Sequence, residues 1–447
     1  MKNSRLFAQI AIALLLIGIF TALPLVKAPT LVSFGDVKAV PLSGADFVAD
    51  GAYPPGQTFK DFVGGTVAFD QDMINVEQLA HPQDKWYGRG VVVAVLDTGL
   101  LPNWNYFFPK TRILGDLGIG FVQDLDTGVI STVPWDDAVS GHGTHVTSTI
   151  IGYNLRGRPM TGVAPLAKII PVKVLSYYDY DNYRAWGTSG MVAAGIDYVT
   201  SLVKSGVLSA GKVIINMSLG SSVPMEDVQA AIDRAIAAGI IVVASAGNAG
   251  DAGMGYPGAY PEVISAGWAG WTGQWIGSAW YRTKDVPEDL MTLAPYSVYY
   301  GYRAGTQVYM DIDSSRALPG QDLDVVAPGG WVVGPYWDPY FGPLPEDPTQ
   351  CYFYVSGTSM ASPHVAGACA LLAEKTGKKL TAGDMETILE NTANLACVTY
   401  PNGGWLGPLP YMAIYQDPYG VWWTEWDNNA VGAGFLQVNA AVAAVNP

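Results

Sequence analysis

Four side chains stand out because their types and surroundings can do nucleophilic chemistry. Asp97 closes the run Val91-Val92-Val93-Ala94-Val95-Leu96 and is followed by Thr98-Gly99. His142 lies between two glycines in Gly141-His142-Gly143-Thr144-His145-Val146, and Ser359 lies in Gly357-Thr358-Ser359-Met360-Ala361-Ser362-Pro363-His364. A serine hydroxyl is a weak nucleophile at neutral pH and needs an adjacent base. An imidazole titrates near working pH and can take that proton. A carboxylate on the other ring nitrogen would fix the tautomer and stabilise the imidazolium that forms. Asn248, in Ala246-Gly247-Asn248, offers an amide donor for the negative charge that develops on a carbonyl oxygen under attack. A second donor is the backbone N–H of Ser359, at the start of a small-residue helix whose dipole has the right sign.

The chain order Asp–His–Ser is one of the orders in which such triads occur. With the motifs above and Ser359-Met360-Ala361-Ser362-Pro363-His364-Val365-Ala366-Gly367, the chain resembles the subtilisin-like (subtilase) serine peptidases over about residues 70 to 447. That resemblance implies a three-layer α/β fold, an Asp97–His142–Ser359 triad and an oxyanion site at Asn248. It also implies a substrate-lining segment at Ser218-Leu219-Gly220, with Ala185 to Gly187 facing it. Gly247 belongs to the same lining. Gly255 would form the base of a specificity pocket open to large apolar side chains, and Pro257 would follow a cis bond. His364 is implied as structural, and His145, one turn past His142, reads as a packed helix residue. The Asp97-to-His142 and Asn248-to-Ser359 intervals exceed those of compact family members, which places extra residues in loops.

These residues need a scaffold, and the hydrophobic pattern supplies one. Val91–Leu96, Lys168–Leu175, Val213–Leu219, Ile240–Ala244 and Val263–Ala266 are short, β-branched and continuous, as expected of strands covered on both faces. His142–Ile151, Gly190–Val203, Glu226–Ala238, Thr358–Glu374 and Ala382–Asn391 have helical spacing. Strand–helix alternation predicts a mostly parallel sheet with helices on both faces. Ligands of such sheets collect at the C-terminal strand edge, where Asp97 falls. Residues 268–320 and 396–430 are rich in Tyr, Trp, Gly and Pro and are expected to be surface insertions in a peptidase domain spanning 66–447.

Met1–Arg5 is basic and Leu6–Val26 is apolar, so residues 1–28 are expected to be a signal peptide or, uncleaved, a membrane anchor through residues 6–26. Residues 29–65 read as a linker or a short pro-segment, too short for the family's usual pro-domain. The 447 residues carry 24 basic and 39 acidic side chains, a net charge of −15 that repels nucleic acid. Polypeptides are the expected partners, at an extracellular or cell-surface location. No cofactor is needed for the chemistry. Structural calcium is implied by the resemblance, with Asp124/Asp126, Asp179/Asp181 and Asp311/Asp313 as oxygen pairs that lack a full Ca²⁺ loop pattern. Cys351 and Cys397 are either a disulfide or free thiols, and Cys369 sits in a helical run that reads as core. Two other readings remain open from sequence: a catalytically dead peptide binder, and a surface-layer protein assembled through its aromatic insertions. Covalent labelling of Ser359 separates the first from an enzyme, and a Ser359→Ala protein separates the second.

Overall fold

In a computed structural model the described residues are 29–35, 37–42, 58–76, 86–271, 296–297, 308–311, 313–377, 380–394, 413–416, 422–425 and 428–447. Residues 1–28, with the expected signal or anchor, lie outside them. Near the N-terminus are β1 (Leu31–Ser33) and β2 (Lys38–Pro41). The first long strand, β3 (Val92–Asp97), is followed by β4 (Ile119–Gln123), β5 (Ile130–Val133), α1 (His142–Ile151) and β6 (Lys168–Lys173). Then come β7 (Tyr177–Asp179), β8 (Arg184–Thr188), α2 (Ser189–Lys204), β9 (Val213–Met217), α3 (Glu226–Ala237) and β10 (Ile241–Ser245). The C-terminal part adds β11 (Ile264–Trp271), β12 (Val308–Met310), β13 (Val325–Pro328), β14 (Val332–Pro335), β15 (Tyr352–Ser356), α4 (Thr358–Thr376) and α5 (Ala382–Thr392).

The central sheet has nine strands in the order β12-β11-β10-β9-β3-β6-β4-β5, with β13 also paired to β11. Its inner pairs are parallel, and only β12 against β11 and β5 against β4 run antiparallel. From β3 the chain builds outward to β6 and β4 on one side, then crosses to β9 and β10 on the other. Asp97 therefore ends the strand at which the order reverses, where an open α/β sheet leaves a crevice.

Alternate side chains explain why the strand sequences are continuous rather than alternating. Val93 and Val95 of β3 join a core shared with α1 and α4, whereas Ala94 and Leu96 join the core under α2 and α3. The same division holds in β9, where Ile214 faces the first core and Ile215 the second. Both faces are dry, which is the pattern of a parallel sheet between helix layers.

The structure differs from the sequence reading at the edges. β11 runs past Ala266 to Trp271, with Trp268 2% exposed, so residues 268–271 are core strand rather than the beginning of an insertion. At the other end of 268–320, Met310, Ser314 and Ser315 are buried as well. Within the expected insertions, Tyr296–Ser297, Ala413–Gln416 and Trp422–Glu425 pair in one small antiparallel sheet. Residues 31–41, read as linker or pro-segment, form two strands paired to the domain, and Phe62 is 1% exposed in the core. Cys351 and Cys369 are buried free thiols, and burial pushes them up to about 11 and about 12. Cys397, the other half of the expected Cys351 alternative, lies outside the described residues.

Candidate active site

The end of β3 and the start of α1 are fastened together through Thr98. Thr98 Oγ1 donates to the Ser140 carbonyl at 2.8 Å and accepts from Gly143 N–H at 2.9 Å. This puts His142, at the first turn of α1, over Asp97. His142 Nδ1 lies 2.9 Å from Asp97 Oδ1 and 3.0 Å from Oδ2. Thr98 N–H donates to Asp97 Oδ1 at 2.7 Å, which fixes the carboxylate plane. Both side chains are wholly buried, in a setting where such a bond is electrostatically strong.

Ser359 stands in the first turn of α4, also buried. Its Oγ is 3.3 Å from the Ser218 carbonyl and 3.5 Å from the Phe34 carbonyl. His142 Nε2 has no hydrogen-bond partner among the described residues. The imidazole is instead covered by the Phe34 ring, stacked at 4.1 Å between centroids and 7° between planes.

Asn248 is oriented by the same helix terminus. Its Oδ1 accepts from Thr358 N–H at 2.9 Å and from Thr358 Oγ1 at 2.8 Å, so the amide nitrogen is turned the other way. A Cβ at Gly357 would lie 3.0 Å from that nitrogen, and Gly357 has φ +147°, so only glycine leaves the amide this room.

Ser218, Leu219 and Gly220 prolong β9 toward Ser359. The Ser218 side chain turns inward, its Oγ 2.9 Å from the Ser359 carbonyl and 2.7 Å from Ser362 Oγ, so only its backbone is available to a ligand. Gly220 uses its backbone differently. It exchanges both hydrogen bonds with Ser33, at 3.1 and 2.7 Å. The neighbouring Ser221 is laddered to Tyr256 by two bonds of 2.8 Å, and Gly255 N–H donates to the Ala246 carbonyl at 2.8 Å. These segments wall a cleft of about 870 Å³, with Gly247, Asn248 and Gly255 in its lining. The Tyr256–Pro257 bond is cis. Opposite, Ala185–Gly187 lies in β8, whose Trp186, Gly187 and Thr188 pair with β1.

His145 is buried, donates to the Val332 carbonyl at 3.1 Å, and is held near 3 by burial, hence neutral. His364 bridges the Met360 carbonyl at 2.8 Å and Asp70 Oδ2 at 3.1 Å, away from Asp97 and His142. The proposed oxygen pairs are engaged locally: Asp124 Oδ1 accepts from Asp126 and Thr127 N–H, and Asp179 Oδ1 from Asp181 and Asn182 N–H. Asp311 Oδ1 accepts from Asp313 N–H. These are turn caps, and Asp311 Oδ1 and Asp313 Oδ2 also face Lys38 Nζ at 3.8 and 2.7 Å. The described carboxylates that do converge, within 4.8 Å, are Asp324, Glu386 and Glu390, which sequence reading missed because they come from separate elements. Asp324 Oδ2 is already used by Ser265 N–H at 2.6 Å and Ser265 Oγ at 2.7 Å. Ca²⁺ takes six to eight oxygens, so these three carboxylates alone would leave its shell to be completed by other ligands.

Residues 88–407 match the family model described as the subtilase family. The chain belongs to the subtilase family of serine peptidases. This subtilase is 30% identical to subtilisin DY of Bacillus licheniformis over 68% of its own length and 84% of that protein's. It is also 30% identical to thermitase of Thermoactinomyces vulgaris, over 69% and 82%. Among solved structures, fervidolysin of Fervidobacterium pennivorans superposes with a TM-score of 0.58 at 22% identity, covering 93% of this chain and 51% of that one. That likeness speaks for the fold. The family makes the subtilase a hydrolase with polypeptide substrates.

Proposed function

We propose that the chain is an exported serine endopeptidase working through an acyl-enzyme, with Ser359 as nucleophile, His142 as base and Asp97 as the group that orients it. The observation that carries this reading is the buried pair at 2.9 and 3.0 Å between His142 Nδ1 and Asp97. That pair leaves Nε2 as the nitrogen able to receive the Ser359 proton. As the hydroxyl oxygen bonds to the substrate carbonyl carbon, the carbonyl π pair moves to oxygen and the proton passes to His142. Collapse of the tetrahedral species expels the amine, which takes that proton from His142. Water then repeats the sequence on the ester and frees Ser359. The Asn248 amide and the Ser359 N–H meet the transient oxyanion.

Substrate is held as an extended strand between Gly220 and Ala185–Gly187, through main-chain bonds that ignore sequence. The pocket beside Gly255 takes a large apolar side chain before the cut. Export rests on the basic Met1–Arg5 and apolar Leu6–Val26 stretches. The test is incubation of the secreted protein with casein and with a fluorophosphonate. Casein cleavage and labelling at Ser359, both lost in Ser359→Ala, are expected. A folded wild-type protein that does neither overturns the reading. N-terminal sequencing of the mature chain tests the export signal.

A further inference from the structure

One carboxylate outside the proposed triad joins the two sides of the cleft. Asp338 follows β14 in the loop that leads to β15, and it is 3% exposed. Its Oδ2 accepts from Ser140 Oγ at 3.1 Å and from the Tyr336 hydroxyl at 3.3 Å. Its Oδ1 accepts from Tyr340 N–H at 3.0 Å and from the Tyr178 hydroxyl. Burial first, and this carboxylate second, push Tyr178 and Tyr336 above their ordinary value, so both stay protonated donors. A carboxylate is held inside a protein by such a set of donors.

Two of these donors belong to different parts of the site. Ser140 lies two residues before His142, and its carbonyl takes the Thr98 hydroxyl at 2.8 Å. The loop also grips the next residue, because Gly141 N–H donates to the Trp337 carbonyl at 2.6 Å. A Cβ at Gly141 would lie 2.4 Å from Trp337 N, so only glycine permits this approach. Gly141 is the N-cap of α1, and the grip therefore sets where the His142 turn begins. Tyr178 lies in β7, opposite Ala185 of β8, the wall that the proposed function gives to substrate. Tyr183 and Tyr340 add a second bridge, edge to face, with ring centroids 4.7 Å apart.

We propose that Asp338 is a positioning residue that fixes the histidine base relative to the strand along which substrate lies. This rests on the endopeptidase reading. α1 packs through Val146 and Ile150 into the core on one face of the sheet, whereas Ala185 packs into the core on the other. Their relative placement is therefore set at the sheet edge, and Asp338 ties the two there through Ser140 and Tyr178. A misplacement of about 1 Å costs a reaction about 10²-fold. Loss of the carboxylate has two signatures: slower removal of the Ser359 proton, and less gain from substrate residues that lie along β8.

The experiment compares the full chain with Asp338→Ala, Asp338→Asn, Tyr178→Phe and Ser140→Ala, each checked for folding by circular dichroism and a thermal melt. Kinetics are measured on acetyl-Phe anilide and on a tetrapeptide anilide ending in Phe, beside the rate of Ser359 labelling by a small fluorophosphonate. Asp338→Ala should lower kcat on the tetrapeptide and the labelling rate by about 10²-fold. It should also lower the ratio of kcat/KM between the tetrapeptide and the single residue by about tenfold, because binding along β8 no longer serves the chemistry. Asp338→Asn keeps the shape and one acceptor, and should fall between Asp338→Ala and the parent. Tyr178→Phe cuts the β8 side and should act mainly on the ratio, and Ser140→Ala cuts the His142 side and should act mainly on labelling. If Asp338→Ala does not fold, the other three variants decide. Folded variants that stay within about twofold of the parent in both readouts overturn the positioning role. So does a loss of activity that follows only the fraction of folded protein. A folded parent that neither labels at Ser359 nor cuts casein overturns the endopeptidase reading instead.

Discussion

Asp97 and Asn248 are held by short polar contacts, some local and some to residues far away in the chain. Asp97 takes Thr98 N–H, Thr98 reaches Ser140, and Asn248 reaches Thr358. Asp97→Asn should fold, because the space and the Thr98 contact are kept, yet lower kcat by about 10³–10⁴ through the wrong histidine tautomer. Steady-state kinetics beside a thermal melt would show activity lost with the fold intact. Asn248→Leu should lower kcat by about 10²–10³ with KM little changed, because a donor to the transient oxyanion is missing. A change in KM alone would place Asn248 outside the oxyanion site. The proposed triad members stood out in the sequence because each lies in a local motif. The hydroxyls of Thr98, Thr358 and Ser218 were not, because their partners are fixed only by the fold.

At the scale of elements, the pocket wall and the sheet edge make separate predictions. A Cβ at Gly255 would lie 3.3 Å from the Ser221 carbonyl, so a larger side chain there must narrow the pocket. Gly255→Val should lower kcat/KM for anilides ending in Phe relative to those ending in Ala by at least about 10–200-fold, the range for a single methylene in a pocket. An unchanged ratio would show that Gly255 does not set the pocket. Asp324, at the start of β13, is raised to about 7 by burial. It binds its proton more tightly folded than unfolded, so its support for the fold is full below the ordinary carboxylate range. That support is lost as pH rises through about 7, by up to about 4 kcal/mol. Asp324→Asn should therefore raise the melting temperature at pH 8 and much less at pH 4, as calorimetry at both pH values would reveal. The parallel strands were legible from their unbroken β-branched runs. The end of β11 was not, because Trp268 and Trp271 sit among glycines that read as loop, although both are buried against the sheet.

Across the whole molecule, the two helix layers and the reversal at β3 bring residues hundreds of positions apart to one edge. That much followed from strand–helix alternation and the order of the motifs. The place of residues 29–41 did not. The segment has no period, and its two strands exist only by pairing with β8, Gly220 and β15. Lys38 and Asp313 hold that segment through side chains that are 51% and 42% exposed. Mobile ions shield such a contact once the Debye length falls to about 10 Å or less. A medium of high ionic strength should therefore loosen the clasp, and hydrogen exchange at the amides of Lys38, Ala39 and Val40 should quicken between about 0.01 M and 1 M sodium chloride. The same titration on Lys38→Glu should be flat or inverted, so the salinity of the surroundings would set how firmly this segment is tied to the domain.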